Sequence, residues 1–185
     1  HRLWDLGLGV AEAMDTAQRG MGLGWGEAQE LIARSLKEAA TRKDALIACG
    51  VGTDHLTGTG YSLNQIVDAY REQLDFVQGL GGRVILMASR ALAANARGHD
   101  DYLETYARVL SHAQDKVIIH WLGEMFDPAL EGYWGAKDHL AAMETCLDMI
   151  KANADKIDGI KISLLSKEKE ITMRRRLPPG VRMYT

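Results

Sequence analysis

Residues 156–165 read KIDGIKISLL, a short apolar run with a lysine, Lys161, near its centre. Isoleucine is enriched in β-strands, and short apolar runs are typical of strands that are buried on both faces. The run therefore predicts a β-strand at residues 157–163, in the interior of the protein. A charged amine in such a strand must reach water, find a partner or take part in chemistry.

Similar runs recur along the chain, at residues 6–11, 45–51, 83–88, 116–122 and 181–184. Between them, four segments repeat apolar residues at helical spacing with polar residues opposite, at residues 25–43, 62–80, 100–114 and 140–156. Ser62 and Asp100 are the predicted N-caps of two of these helices. Short strands that alternate with amphipathic helices predict a parallel six-stranded sheet covered by helices.

The spacing of these units favours one of two α/β architectures. A βα unit recurs roughly every 35 to 40 residues, close to the spacing in a (β/α)8 TIM barrel, where about 250 residues make eight units. We therefore expect residues 1–185 to form a single barrel domain with about six units, the first and last being absent, as part of a longer chain. The alternative is a complete doubly wound sheet, but the chain has no GxGxxG turn.

Composition excludes several classes of function. The chain has 46% hydrophobic and 25% charged residues, as globular domains do, and its net charge of −3 predicts no nucleic-acid binding. No apolar run approaches the roughly 20 residues of a membrane span, so we expect no membrane insertion. The two cysteines, Cys49 and Cys146, lack CxxC spacing, so we predict that they are buried free thiols. Because thiols stay reduced in the cytoplasm, this predicts a cytoplasmic protein.

Polar residues follow the predicted strands where the ligand site of either architecture lies, at the carboxyl ends of the strands. We predict Lys161 and His120 as catalytic residues. The predicted substrate-binding residues are Asp15, Gln18, Arg19, Thr53, Asp54, Ser89, Arg90, Glu124 and Ser163. Because a guanidinium binds carboxylate or phosphate in a bidentate manner, the arginines favour a small anionic substrate.

Lys161 and His120 each allow a catalytic and a structural interpretation. Burial lowers the pKa of a lysine and frees the neutral amine that attacks a carbonyl to give a Schiff base. Alternatively, Lys161 pairs with a carboxylate or extends its amine between helices into water. His120 is a candidate general acid or base because imidazole titrates near neutrality, and its alternative is a hydrogen-bonded core histidine.

Two other functions are consistent with the same residues. His120, Glu124 and His55 are candidate ligands of a divalent metal in an isomerase, epimerase or aldolase, although no HExxH spacing is present. A non-catalytic barrel that binds a small ligand is the third possibility. The Schiff-base mechanism itself needs no cofactor, since the lysine is the covalent catalyst.

Three segments resemble a known enzyme family: DKVIIHWLGE at residues 115–124, KIDGIKISLL at 156–165 and GVRMYT at 180–185. They are similar to the fifth, sixth and seventh strand regions of the dihydrodipicolinate synthase / N-acetylneuraminate lyase superfamily, whose members are (β/α)8 barrels. Its Gly-Ile-Lys lysine forms a Schiff base with a 2-keto acid, and Gly159, Ile160 and Lys161 match that motif. The resemblance implies a class I aldolase-type lyase that forms homo-oligomers.

The resemblance is stronger to a bacterial dihydrodipicolinate synthase-like branch of unknown function, on residues 9–23, 81–92 and 117–135. The chain also departs from the superfamily. The Gly-Thr-Thr-Gly-Glu motif that holds the carboxylate of pyruvate is replaced by AEAMDTAQRG at residues 11–20, and His120 stands where the family has a proton-relaying tyrosine. The expected substrate is therefore an oxo acid or a sugar-derived carbonyl compound, with pyruvate in doubt.

Overall fold

The sheet carries six parallel strands, as predicted. The computed structural model describes residues 1–14 and 18–184. Its strands are β1 (Val10–Glu12), β2 (Ile47–Val51), β3 (Arg83–Leu86), β4 (Val117–Leu122), β5 (Ile157–Ser163) and β6 (Arg182–Tyr184). Every neighbouring pair is parallel, and the order in the sheet is the order in the sequence.

Helices connect the strands. They are α1 (Arg2–Asp5), α2 (Trp25–Ala39), α3 (Leu63–Gly79), α4 (Arg90–Asn95), α5 (His99–His112), α6 (His139–Ala152) and α7 (Lys167–Arg176). Two 3-10 turns, Pro128–Leu130 and Tyr133–Gly135, lie between β4 and α6. The four helices predicted from apolar spacing correspond to α2, α3, α5 and α6, whose apolar faces cover the sheet.

The strand order excludes the doubly wound alternative. A doubly wound sheet reverses its strand order at a switch point, whereas each strand here pairs with the next strand in the chain. Residues from all six strands line one cavity, so the sheet curls around its inner face. The described chain is thus a curled parallel α/β sheet.

Three predicted element boundaries can be compared with the structure. The capping box at Ser62 is confirmed, because its hydroxyl accepts from the amide of Gln65 at 3.3 Å and its amide donates to the Gln65 side chain at 3.0 Å. The predicted strand at residues 6–11 is wrong at its start, since α1 and a turn at Gly7 (φ +74°) precede β1. Asp100 is not an N-cap, because α5 begins one residue earlier.

The sheet separates two apolar layers. The larger layer fills the space between the sheet and the helices. The smaller one lies on the inner face, where Ala48, Ile85 and Ile118 pack together with Met14 and Tyr184. The second layer places apolar groups directly around the lysine of β5.

Gly159 permits the close contact between β5 and β6. A Cβ atom at this position would lie 2.6 Å from the carbonyl oxygen of Arg182 and 2.6 Å from the ring of Tyr184. Any larger residue would push β6 away from β5. The glycine therefore allows Tyr184 to pack against the inner face beside Lys161, which is its register partner.

Two further predictions concern the thiols and membrane insertion. Cys49 and Cys146 are free and buried, as predicted, and burial raises the pKa of Cys49 to about 12. In the part of the chain that the structure describes, no helix has the length and hydrophobicity that a membrane span needs.

Candidate active site

Lys161, His120 and Ser163 form a compact group at the carboxyl ends of β4 and β5, which we call the lysine centre. The Nζ atom of Lys161 donates to the Ser163 hydroxyl at 2.9 Å and lies 3.4 Å from Nε2 of His120. The same Nε2 atom is 3.3 Å from the Ser163 hydroxyl. Residues two apart on a strand share a face, so β5 alone places Lys161 and Ser163 on the inner side.

His120 is uncharged in this setting. Its side chain is almost fully buried, and burial together with the positive charge of Lys161 lowers its pKa to about 3. An ammonium group has only donors, so Nε2 accepts and the imidazole proton lies on Nδ1. Nδ1 finds no hydrogen-bond partner among the described residues. His120 is thus a neutral hydrogen-bonding group at neutral pH, and a role as free acid is unfavourable.

Lys161 of the lysine centre lines a cavity on the inner face of the sheet. The cavity measures about 450 Å³, a volume within the range of small-molecule sites. Lys161 contributes the amine, and the walls near it include Ile85, Ile118 and Tyr184. The walls of the cavity are largely apolar.

Arg19 makes structural contacts with several segments, and its role in substrate binding stays a prediction. It is fully buried, and each of its five N–H groups has a partner. Nε and Nη2 donate to the carboxylate of Asp54 at 2.9 and 2.7 Å, and Nη2 also reaches Gln73 at 2.7 Å. Nη1 donates to the carbonyl oxygens of Ala13 and Gly50 at 2.7 and 3.1 Å. Arg19 therefore ties the loop after β1 to β2 and has no donor left for a ligand.

Asp54 and His55 belong to the same polar network. Burial raises the pKa of Asp54, but the hydrogen bonds and charge of Arg19 outweigh it and keep the pKa below its ordinary value. Gln73 connects the network, since its amide lies 3.1 Å from Asp54 and 2.8 Å from Nδ1 of His55. Asp54 is thus an ionised partner of Arg19 rather than an available substrate ligand.

Thr53 and Ser89 bond to each other at the ends of β2 and β3. Their hydroxyls lie 2.6 Å apart, and both residues are buried. Ser89 also accepts from the amide of Leu92 at 3.0 Å, which caps α4. The two hydroxyls therefore hold the start of α4 against β2.

Unlike Arg19, Arg90 has N–H groups that make no hydrogen bond with the described residues. Its Nε donates to Asp127 at 2.6 Å, while its terminal amino groups make no hydrogen bond within residues 1–14 and 18–184. The side chain is 33% exposed and borders a small cavity of about 50 Å³ with Thr53 and Asp54. Of the two predicted arginines, Arg90 is the one whose N–H groups remain able to bind an anion.

The predicted metal ligands are held apart in separate clusters. Glu124 accepts from Nε2 of His139 at 2.9 Å, and Nδ1 of His139 lies 2.6 Å from the amine of Lys169. Burial raises the pKa of Glu124, but His139 and Lys169 more than offset this and lower it. Within residues 1–14 and 18–184, no three His, Cys, Asp or Glu side chains group closely enough to hold a metal ion. The ligand set His120, Glu124 and His55 is not assembled.

Two predicted residues remain. Gln18 is exposed, and its carbonyl oxygen accepts from the amides of Met21 and Leu23 in the turn before α2. Asp15 lies outside the described residues, so its predicted role in substrate binding stays a prediction. The structure thus brings Lys161, His120 and Ser163 together and gives most of the other predicted residues structural partners.

The sequence reasoning missed Gln73 and Tyr184. Gln73 is fully buried in the apolar stripe of α3, next to Leu74 and one turn after Tyr70. A polar residue within an otherwise apolar stripe was the signal that could have found it. Tyr184 lines the same cavity as Lys161 and donates a hydrogen bond to the carboxylate of Asp158. This contact joins two strands, so the spacing of residues along the chain does not reveal it.

Comparison with known proteins assigns the chain to a family. A family model described as "Protein of unknown function (DUF993)" matches residues 1–185. The chain belongs to this family. A comparison of the chain with curated proteins found no match.

Several solved structures share the fold. A candidate dihydrodipicolinate synthetase from Pseudomonas aeruginosa matches with a TM-score of 0.64 at 15% identity, over 98% of this chain and 55% of that one. A 2-keto-3-deoxygluconate aldolase from Picrophilus torridus matches with a TM-score of 0.55 at 15% identity, over 84% of this chain and 47% of that one. Dihydrodipicolinate synthase from Oceanobacillus iheyensis matches with a TM-score of 0.52 at 15% identity, over 87% of this chain and 43% of that one.

These matches confirm the resemblance to the dihydrodipicolinate synthase superfamily at the level of the fold. The chain spans about half the length of the solved structures that it matches. Their activities belong to those proteins, because a fold hosts many functions and function has to be argued from the site.

Proposed function

We propose that the protein is a Schiff-base-forming lyase or aldolase that acts on an oxo acid or a sugar-derived carbonyl compound. The observation that carries the proposal is the position of Lys161. Its amine lies on the inner face of a parallel α/β sheet, borders a cavity of about 450 Å³, and contacts His120 and Ser163. We further propose that the complete protein closes this sheet into a (β/α)8 barrel.

The chemistry follows from the amine. A neutral lysine attacks a carbonyl carbon and forms an iminium ion with loss of water. The iminium withdraws electrons from the neighbouring carbon, which allows a C–C bond to break or form there. The apolar walls formed by Ile85 and Ile118 support this role, since a poorly solvated amine loses its proton more easily. The reaction needs no cofactor in this proposal.

The substrate is proposed to be anionic and to contact Arg90. A carboxylate or phosphate is a suitable partner for its terminal amino groups, which are partly exposed at the ends of the strands. Arg19 and Asp54 contribute indirectly, because their buried ion pair and the bonds of Arg19 to Ala13 and Gly50 connect Ala13 to β2. Homo-oligomerisation and a cytoplasmic location stay predictions from the sequence.

His120 is proposed to act as a neutral imidazole. Its Nε2 atom lies 3.4 Å from the Lys161 amine and 3.3 Å from the Ser163 hydroxyl, so its lone pair can accept a hydrogen bond from either group. In this proposal His120 does not act as a cationic general acid, because a group with a pKa of about 3 is not protonated to imidazolium near pH 7. The proton transfers of the reaction then need another carrier.

Borohydride trapping on the complete natural chain tests the proposal. The panel contains pyruvate, glyoxylate, 2-oxobutanoate, 2-oxoglutarate and glyceraldehyde 3-phosphate, and peptide mass spectrometry locates the reduced adduct. We expect a stoichiometric adduct on Lys161 with at least one compound and none in Lys161→Met. Lys167→Met removes an exposed lysine at the start of α7 and is the matched control, which should keep the adduct.

Three outcomes would reject the proposal. An adduct that persists in Lys161→Met would show that another amine reacts. A chain that binds a panel compound with no adduct would favour the non-catalytic ligand-binding alternative. Activity that disappears on chelation and returns with a divalent ion would favour the metal-dependent alternative.

A further inference from the structure

We infer that Ser163 is a second catalytic residue, whose hydroxyl carries a proton from the Lys161 nitrogen to the substrate oxygen when the covalent intermediate forms. This inference rests on the proposed Schiff-base function. Ser163 was predicted only to bind the substrate, whereas here its hydroxyl, which contacts the reacting nitrogen, also transfers a proton.

The geometry favours Ser163 over His120 as the proton carrier. The Lys161 Nζ lies 2.9 Å from the Ser163 hydroxyl but 3.4 Å from Nε2 of His120. The first separation is an ordinary hydrogen bond, whereas the second is at the outer limit of one. The hydroxyl therefore has the shorter path to the nitrogen that must lose a proton.

Ser163 is also better placed with respect to a substrate. It is the last residue of β5 and partly exposed, whereas His120 is 2% exposed. The carbonyl oxygen of Ser163 accepts from the amide of Gly123 at 3.0 Å, which fixes its backbone against the loop after β4. Because the hydroxyl lies 2.9 Å from Nζ of Lys161, which lines the cavity, it can also contact the oxygen of a carbonyl group that reacts at Nζ.

A hydroxyl can carry this proton without holding a charge. It both accepts and donates, so it can receive one proton while releasing another. His120 would become a buried cation beside a second positive group, which burial and charge repulsion both disfavour. The neutral imidazole lies 3.3 Å from the hydroxyl, and in the proposed step the hydroxyl turns its single proton to the substrate oxygen.

The proposed step moves one proton from the Lys161 nitrogen to the substrate oxygen. The lone pair of the neutral Lys161 amine forms the C–N bond while the π electrons of the carbonyl move to its oxygen. The nitrogen then carries a surplus proton and the oxygen a negative charge. The Ser163 oxygen takes the proton from the nitrogen as it gives its own to the substrate oxygen. The product is a neutral carbinolamine, the serine is regenerated, and the later loss of water takes one proton from solvent.

The test measures the rate of imine formation by rapid mixing and borohydride quenching, using a panel compound that labels the native chain. We expect Ser163→Ala to slow trapping by about 100-fold, within the range for loss of a proton-transfer group. Ser163→Thr keeps a hydroxyl and should remain within about tenfold of the native rate by the same principle. Circular dichroism and the melting temperature establish that both variants are folded.

A buffer experiment separates proton transfer from a structural role. Added imidazole buffer should accelerate trapping in Ser163→Ala in proportion to its concentration and leave the native rate unchanged, since a diffusing carrier replaces the missing hydroxyl. A Ser163→Ala chain that reacts at the native rate, or a slow one that buffer does not rescue, overturns the inference while the Lys161 adduct stands. A native chain with no adduct overturns the proposed function and this inference together.

Discussion

The Nζ atom of Lys161 lies 3.4 Å from Nε2 of His120, its register partner on the neighbouring strand. Two groups that can each carry a positive charge thus face each other on the inner side of the sheet. His120 is uncharged near neutral pH, because burial and the lysine charge lower its pKa to about 3. The pair keeps a neutral acceptor next to the amine.

Removing the lysine charge should raise the pKa of His120. In Lys161→Met the repulsion is gone but burial remains, so the pKa should rise above about 3 and stay below the ordinary value of 6.5. The imidazole signals of His120, followed by NMR as the pH is lowered, report this value. An unchanged pKa would mean that the two side chains do not interact as the structure indicates.

His120 should also make the protein sensitive to mild acid. The folded state binds no proton at His120 until about pH 3, whereas the unfolded state binds one below about pH 6.5. Unfolding therefore takes up a proton in this window, and stability falls as the pH falls, by at most about 1.4 kcal/mol per pH unit.

Urea unfolding of the native chain and of His120→Gln between pH 6.5 and pH 4 checks this contribution. The glutamine does not titrate, so the variant should lose less stability than the native chain over that range. Parallel curves for the two chains would contradict the low pKa of His120.

The buried ion pair of Arg19 and Asp54 should be necessary for stability. Arg19→Met leaves the Asp54 carboxylate buried without its partner and removes the bonds to Ala13 and Gly50, so we expect a loss of about 3 to 5 kcal/mol in the free energy of unfolding. The matched control is Arg34→Met, which breaks the exposed pair with Glu30 and should cost under about 1 kcal/mol. Equal losses in the two variants would contradict the structural role of Arg19.

Gly159→Ala should weaken the contact between β5 and β6. Its Cβ would overlap the carbonyl oxygen of Arg182 and the ring of Tyr184, and such overpacking costs about 1 to 3 kcal/mol. Gly26→Ala in α2 meets no atom within 4 Å and should instead stabilise the chain, by about 0.5 to 1 kcal/mol. Chemical denaturation of both variants tests the opposite signs, and a neutral Gly159→Ala would show that β6 can move without cost.

Much of the fold follows from local patterns along the chain. The run at residues 156–165 became β5 (Ile157–Ser163) with the predicted limits, and the Ser62 cap was readable because it depends on a residue only three positions away. The start of β1 was wrong because apolar residues such as Leu6 and Leu8 are exposed in the turn that precedes it. Local hydrophobicity does not distinguish an apolar turn from a strand.

Local patterns in the sequence were sufficient to predict the alternation of strands and helices, the position of Lys161 in an inner strand and its match to a Schiff-base motif. Which polar residues remain available for chemistry depends on the folded structure. Arg19 and Arg90 look equivalent in the sequence, yet Arg19 is saturated by partners as far along the chain as Gln73, whereas Arg90 keeps free donors within the described residues. Hydrogen bonds between distant segments set burial, charge and availability, and no spacing along one chain encodes those contacts directly.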